Sequence, residues 1–389
     1  MRKKISTTTI STSTTRMMLT TMNSSRTKNH IKSDGSAMIA NAQNRLVDDF
    51  DCLMLDLDGV CYLGAQPVKN AIETLNCMRA ENKQLLYITN NSSRVPDSVA
   101  AQLTSLGLST NDEQVLTSAQ ATARRVREHF PSSSKILALG GEGVFTALRN
   151  EGFDVVKSAD DDPVAVVQGW ANSIGWAQLS EAVLAIKKGA QHFATNLDAT
   201  LPTERGETIG NGSFVAAVRN ATGAPVISSG KPEAFIYQAA QQMCMAENPL
   251  AIGDRLDTDI RGANASSIPS MHVLTGVNDA REVMLAPPAE RPKYLAVDLR
   301  DLLVPYPQVK TEVDAHTGEG QARCLDSTVE ISKHELRVDG VVCSGVAEES
   351  EVAITVNAYR ALAHLLWQIA DCTSERAALP VLPKFVVTN

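Results

Sequence analysis

The chain has 389 residues, 43% of them hydrophobic and 21% charged, with a net charge of -8. At about 150 residues per domain this allows two or three domains; the apolar fraction suffices for a sizeable core, and the acidic balance excludes a general nucleic-acid binder. No window approaches about 18 uninterrupted apolar residues, so no membrane-spanning helix is predicted. The charge is uneven. Residues 1–36 carry seven Lys/Arg against Asp34 alone, or +6, which leaves -14 for the remainder. The seven cysteines (Cys52, Cys61, Cys77, Cys244, Cys324, Cys343 and Cys372) include no C-x-x-C pair. They read as thiols in a reducing cytoplasm rather than as disulfides or a zinc site.

Residues 1–45 are rich in Ser, Thr, Asn and Lys and lack apolar periodicity. They are expected to be a disordered basic tail, or an over-called start with Met38 as the alternative. An organellar leader is the lesser reading, and no secretory signal is expected. From Phe50 to about Asp298 short apolar runs alternate with amphipathic stretches. Strands are predicted at 52–55, 84–88, 115–117, 135–139, 164–168, 192–195, 225–228, 250–253 and 270–273. Helices are predicted at 68–79, 119–128, 177–187, 232–243 and 259–265. This rhythm predicts parallel sheets with right-handed crossovers. Gly140-Gly141-Glu142-Gly143 lacks the spacing of a nucleotide-binding loop and reads as a strand-to-helix turn. Residues 305–389 change character. Strand-like stretches at 329–331 and 336–338 precede one amphipathic helix over 355–372, with Ile354, Ala358, Ala361, Leu362, Leu365, Leu366 and Ile369 near one face. No chemical motif is visible there, and a packing appendage is the plain reading.

Four segments carry chemistry, and each follows or lies near an apolar run. In D-L-D-G-V, Asp56 and Asp58 are two residues apart and point the same way in a regular strand, and Gly59 permits close backbone approach. One carboxylate can attack phosphorus and the second can shuttle a proton. A calcium loop is the competing reading, but Val60 and Tyr62 supply no oxygen ligands where one would need them. In I-T-N-N, Thr89 with Asn90 and Asn91 can hold phosphate oxygens, or simply cap a helix. In G-K-P, Lys231 offers a compact positive charge, and Pro232 suits a first helical turn. In G-D-R-L-D-T-D, Asp254 and Asp259 can serve a magnesium ion, which takes hard oxygen ligands, or cap the next helix.

The order and spacing of these segments, with the long insert before Lys231, resemble the haloacid dehalogenase superfamily. Within it they resemble the 4-nitrophenylphosphatase-like and NagD-like phosphatases of subfamily IIA, which include phosphoglycolate phosphatases. Ala194 to Asp198, Pro202-Thr203 and Gly210 to Gly212 are similar to that subfamily's cap. The resemblance spans about residues 48–304. It implies an α/β fold: a Rossmann-like doubly wound parallel sheet (residues 46–127 and 227–304) with an inserted α/β C2-type cap (128–226). It implies Asp56 as nucleophile and magnesium ligand, and Asp58 as acid/base with its main-chain carbonyl on the metal. Asp254 would be the third ligand, with Asp259 behind it. Thr89, Asn90, Asn91 and Lys231 would bind phosphate, and Asn196 and Asp198 would reach substrate from the cap.

The activity expected is a Mg2+-dependent phosphatase acting on a small phosphomonoester through an aspartyl phosphate. A phosphotransferase or mutase using the same intermediate, or a scaffold with a vestigial site, are the alternatives. No nucleic-acid or membrane partner is expected, a cytoplasmic location is, and the oligomeric state stays open, a homodimer included.

Overall fold

A computed structural model of the protein describes residues 44–203, 205–333, 335–343, 350–372 and 381–388. The expected tail lies outside these residues except for its last two positions. The chain begins with β1 (Cys52–Leu55), the hairpin β2 (Tyr62–Leu63) and β3 (Gln66–Pro67), α1 (Ala71–Ala80), β4 (Gln84–Thr89), α2 (Pro96–Ser105), β5 (Val115–Thr117) and α3 (Ser118–His129). Next come β6 (Lys135–Leu139), α4 (Glu142–Asn150), β7 (Asp154–Val156), β8 (Ala165–Gln168), α5 (Trp176–Lys187), β9 (Gln191–Ala194), the hairpin β10 (Thr200–Thr203) and β11 (Gly206–Ile209), α6 (Asn211–Thr222) and β12 (Val226–Ser228). It continues with α7 (Ala234–Cys244), β13 (Pro249–Gly253), α8 (Arg261–Ala265), β14 (Ser270–Val273), α9 (Ala280–Met284) and β15 (Tyr294–Ala296). It closes with β16 (Val309–Val313), β17 (Gly320–Cys324), β18 (Ser327–Ser332), β19 (Glu335–Val338), β20 (Val341–Val342), β21 (Glu351–Thr355), α10 (Val356–Cys372) and β22 (Lys384–Thr388).

Six parallel strands form the first sheet in the order β5-β4-β1-β13-β14-β15. Strands β1, β13 and β14 are buried along their whole length, as strands covered on both faces must be, and this is why they read as unbroken apolar runs. The strand order reverses between β1 and β13, and at such a switch point a crevice opens outside the carboxyl ends. Helix α1 starts at Ala71 rather than Val68 because Asn70 adopts a left-handed conformation, φ 66°, which a right-handed helix cannot include.

The inserted region forms a second parallel sheet, β12-β9-β8-β6-β7. Helices α3 and α4 pack on one face and α5 and α6 on the other. Strand β12, which the expected boundary at 226/227 would divide, belongs to this sheet and not to the first. Its exit continues the pairing, with Gly230 N–H donating to Thr195 O at 2.8 Å. The glycine run at 140–143 does join β6 to α4, and it also lets another loop come close. A Cβ on Gly143 would stand 2.5 Å from Ser92 O, and one on Gly141 2.5 Å from Ser93 O.

The carboxyl-terminal region folds β16 to β20 into an antiparallel meander. In β17 and β18 burial alternates residue by residue, so one face of this sheet is covered. Helix α10 lies against it. Of the predicted stripe, Ile354 belongs to β21 and the rest to α10, which starts at Val356; all of it is buried, but so are Tyr359, Arg360, Ala363 and Trp367. The periodicity revealed one face only, because residues with a polar handle cover the second.

Candidate active site

The crevice at the switch point holds the four segments. It is a cleft of about 380 Å³ lined from the core by Asp56, Asp58, Thr89, Asn90, Asn91, Asp254 and Asp259, from the loop after β12 by Lys231, and from the cap by Trp170, Asn196, Asp198, Thr200, Leu201 and Asn211. Every site residue proposed from sequence therefore borders one cavity.

At its floor, Lys231 Nζ contacts Asp56 Oδ1, donates to Asp259 Oδ1 at 2.7 Å and to Ile88 O at 3.3 Å. An ammonium has three protons, so its donors are all engaged. Burial alone would lower the Lys231 pKa, but Asp259 and Asp56 outweigh this and hold it well above its usual value. Burial pushes the Asp56 carboxyl well up, against the pull of Lys231 and with Asp259 and Asp254 adding to the rise. Asp254 is pushed up to about 7, first by burial and then by Asp259, although Val277 N–H donates to its Oδ2 at 2.7 Å.

One oxygen from each of Asp56, Asp254 and Asp259 lies within 4.8 Å of the others. Ionised together, the three carboxylates would carry an excess of two negative charges over the one ammonium. Asp254 Oδ1 is buried without a hydrogen-bond partner. A buried acceptor left unpaired is costly, and a hard divalent cation corrects both the charge and the orphaned oxygen. The donor set therefore fits magnesium.

Glycines hold the walls close. Gly59 has φ +87°, and a Cβ there would lie 2.4 Å from Asp254 Oδ2; a Cβ on Gly276 would lie 2.0 Å from the same atom. The loop 275–278 had no signal in the sequence analysis, yet it shapes Asp254. Thr275 Oγ1 donates to Gly59 O at 2.6 Å, Asn278 Oδ1 accepts from Leu256 N–H at 2.8 Å, and His272 Nε2 lies 2.9 Å from Asp254 O. The segment after Asp254 opens as a π-helical turn, Leu256–Ile260, before α8. Such turns recur at functional sites, and this one carries Asp259 inward, 2% exposed.

Asp58 opens onto the cleft. Partial burial raises its carboxyl pKa, against donation from the Gly64 and Gly59 N–H groups. It stands outside the cluster of three acids. Lys231 comes not from the first sheet but from the loop after β12, and its peptide bond to Pro232 is cis. Helix α7 starts only at Ala234, after Glu233 as its cap, so Pro232 lies ahead of the helix and not in its first turn.

Asn90 fastens that loop. Its Oδ1 accepts from Lys231 N–H at 2.8 Å, and its Nδ2 donates to Lys231 O at 3.0 Å and to Asp198 Oδ2 at 2.9 Å. Both of its N–H groups are committed, so its side chain has no donor left for phosphate. Thr89 Oγ1 accepts from Asn91 N–H at 3.1 Å, while Asn91 Oδ1 turns to Ser93. In the cap, Asn211 lies between two glycines at the start of α6. It is buried and donates to Asn196 O at 2.9 Å; the G-N-G pattern was its only sequence trace.

A doubly wound sheet, a lid, three acids and a lysine at the switch point define a metal-assisted phosphoryl-transfer enzyme with a capped site. Comparison with known proteins narrows this. A haloacid dehalogenase-like hydrolase model matches residues 53–154, and a HAD-hydrolase-like model matches residues 228–302. The chain is 43% identical over 257 residues to the D-glycerol 3-phosphate phosphatase of Mycobacterium tuberculosis, across 66% of this chain and 72% of that protein. It is 32% identical to the acid sugar phosphatase of Staphylococcus saprophyticus, across 66% of this chain and 97% of that protein.

Among solved structures it matches a glycerol phosphate phosphatase from Mycobacterium tuberculosis in complex with magnesium, with TM-score 0.71 and 33% identity, covering 89% of this chain and 96% of that one. It also matches a thermostable NPPase from Geobacillus stearothermophilus, with TM-score 0.60 and 30% identity, covering 65% and 98%. The chain belongs to the haloacid dehalogenase-like hydrolases. It is a magnesium-dependent phosphoric monoester hydrolase acting on small phosphorylated molecules.

Proposed function

We propose that Asp56 is the nucleophile, Asp58 the proton shuttle, and a small polyol phosphate such as glycerol phosphate the substrate. The observation that carries the mechanism is the Lys231 ammonium bridging Asp56 and Asp259 beside Asp254. Asp56 Oδ attacks phosphorus and the ester oxygen leaves with a proton from Asp58, giving an acyl phosphate on Asp56. Asp58 then takes a proton from water as that water attacks the acyl phosphate, which frees Asp56 and releases phosphate. The raised pKa of Asp58 suits a group that must start as an acid. The Lys231 charge offsets that of the phosphoryl oxygens, and the Thr89 hydroxyl, whose oxygen accepts from Asn91 N–H, can donate its own proton to them.

Asp56, Asp254 and the main-chain carbonyl of Asp58 would hold magnesium, with Asp259 behind them. When bound, the ion supplies Lewis-acid polarisation of the phosphoryl group. Asn90 acts through Lys231, whose main chain it holds on both sides.

Two observations support the substrate. The cleft is small, about 380 Å³ with the phosphate end included, and its cap wall is largely polar. The Mycobacterium tuberculosis relatives act on glycerol phosphate by name, and one of them aligns over 89% of this chain. All seven cysteines are free thiols, which supports a reducing, cytoplasmic setting; among the described residues no helix is long and apolar enough to cross a membrane.

The test is phosphate release from a panel of sugar, polyol and nucleoside phosphates with magnesium and with EDTA. Turnover of glycerol phosphate that stops with EDTA is expected. Activity that survives complete metal removal would refute this reading.

A further inference from the structure

We propose that the mouth of the cleft is an apolar cuff for an alkyl segment of the leaving alcohol, so that the preferred substrate is a polyol phosphate with a short alkyl chain beyond its hydroxylated carbons. The inference rests on the phosphatase reading above. Floor and mouth differ in kind. Lys231 and Asp254 are buried at the floor, whereas Leu63 and Val277, which line the same cleft, are 52% and 64% exposed. Trp170 and Leu201 border it from the cap, both half-buried. Trp170 Nε1 donates to Ile209 O at 3.2 Å, so the indole has spent its one N–H and offers the cleft only carbon. Single exposed apolar side chains are ordinary, but four that core and cap bring to one cavity form a surface made to be covered.

The direction of the reaction says what covers it. The attacking and leaving oxygens of phosphoryl transfer stand roughly in line across phosphorus. Asp56 attacks from the floor, where Lys231 holds it, so the leaving alcohol points outward to the mouth. Asp58 gives that alcohol its proton, and the Asp58 carboxyl accepts from the N–H of Gly64, the residue after Leu63. In a second core loop, Val277 N–H donates to Asp254 Oδ2 at 2.7 Å. Main-chain bonds to the acids of the site thus fix two members of the cuff beside the departing group. Hydroxyls keep polar partners, since Asn196, Asp198, Thr200 and Arg255 border the same cleft. A wholly polar leaving group leaves the cuff facing water, and an alkyl segment takes its surface out of water.

Three esters test this: glycerol 3-phosphate, its 1-O-butyl ether and its 1-O-(2-methoxyethyl) ether, which has the length of the butyl compound but a polar atom in the chain. With the full chain and magnesium, kcat/KM for the butyl ether should exceed that for glycerol phosphate by at least about tenfold, and that for the methoxyethyl ether by at least about threefold. In the double variant Leu63→Ser, Val277→Ser the butyl advantage over glycerol phosphate should shrink by at least about threefold. A butyl ether turned over by the wild type no better than glycerol phosphate, or no better than the methoxyethyl ether, would overturn the proposal, and this needs no variant to fold. So would a double variant that keeps the full butyl advantage. Glycerol phosphate turned over with no preference for the chain would remove this inference and leave the phosphatase reading standing, whereas turnover of none of the three would remove both.

Discussion

The cap and the carboxyl-terminal region are both layers of sheet and helix attached to one core, but they are attached by different chemistry. Around the cleft the cap meets the core through polar contacts, Asn90 to Asp198, Trp170 N–H to Ser92 Oγ at 3.4 Å, and Gly143 N–H to Ser93 O at 3.1 Å, while away from it α3 sets Ala121 in a core cluster and Ala119, Ala123 and Val126 in a cap cluster. The carboxyl-terminal region shares an apolar cluster with the core. Leu256, Ile260, Val283, Met284 and Leu295 pack with Leu362, Leu366, Trp367 and Ile369. A buried ion pair pins it, with Arg360 Nη2 on Asp301 Oδ1 at 2.8 Å and Arg360 Nε on Leu295 O at 2.9 Å. The cap supplies residues to the cleft, whereas the described residues of the carboxyl-terminal region supply none.

Apolar burial is non-directional and roughly proportional to area, so it suits a permanent joint. Polar contacts carry direction, and they suit the side that must recognise a ligand. The comparisons divide along the same line. The 89% coverage by the glycerol phosphate phosphatase exceeds what residues 1–304 can supply, so it reaches into the carboxyl-terminal region, whereas the NPPase match ends at 65%.

This contrast can be broken at several points. Chemistry should fail outright in Asp56→Asn, with kcat lower by at least about a thousandfold while the thermal transition stays near that of the wild type; phosphate release and calorimetry check this. At the permanent joint, Arg360→Ala leaves Asp301 buried without its partner. It should cost about 3–5 kcal/mol in urea unfolding with KM unchanged; a raised KM would mean that the carboxyl-terminal region takes part in substrate binding.

At the polar joint the signs reverse. Asn90→Ala should lower kcat/KM by about thirtyfold, because Lys231 loses both main-chain anchors, and should cost little global stability. The smallest effect concerns the cap alone. Burial lowers the pKa of His192 from 6.5 to about 4, so the folded protein keeps it neutral. Its stabilising contribution is complete above the unfolded value and is lost as pH falls from 6.5 toward 4, where the unfolded chain takes up the proton first. Unfolding at about pH 5 should therefore be easier by up to about 2 kcal/mol than at neutral pH from this group. His192→Asn should flatten that slope; an unchanged slope would assign it elsewhere.

Much of the site was legible because its parts are local. Asp56 and Asp58 sit one strand-end apart, and Asp254 follows Leu250-Ala251-Ile252 directly, so short patterns reported them. Lys231 was found for a partly wrong reason, since its strand belongs to the cap sheet and its loop reaches back to the core. Asn90 was read as a phosphate donor, but the structure spends its amide on Lys231 and Asp198, 141 and 108 positions away. The loop 275–278 and the all-round burial of α10 left no local trace, because both answer to partners distant in sequence.

The sequence by itself determined the alternation of strands and helices, the acids and the lysine available for phosphoryl transfer, and the metal they suit, since periodicity and side-chain chemistry are properties of neighbours. Only the tertiary structure decided which sheet each strand joins, which amides are already spent, and which carboxylate oxygen stays open to a ligand. A hydrogen-bonding group has a fixed number of lone pairs and protons, and which of them remain free depends on every segment that folds against it.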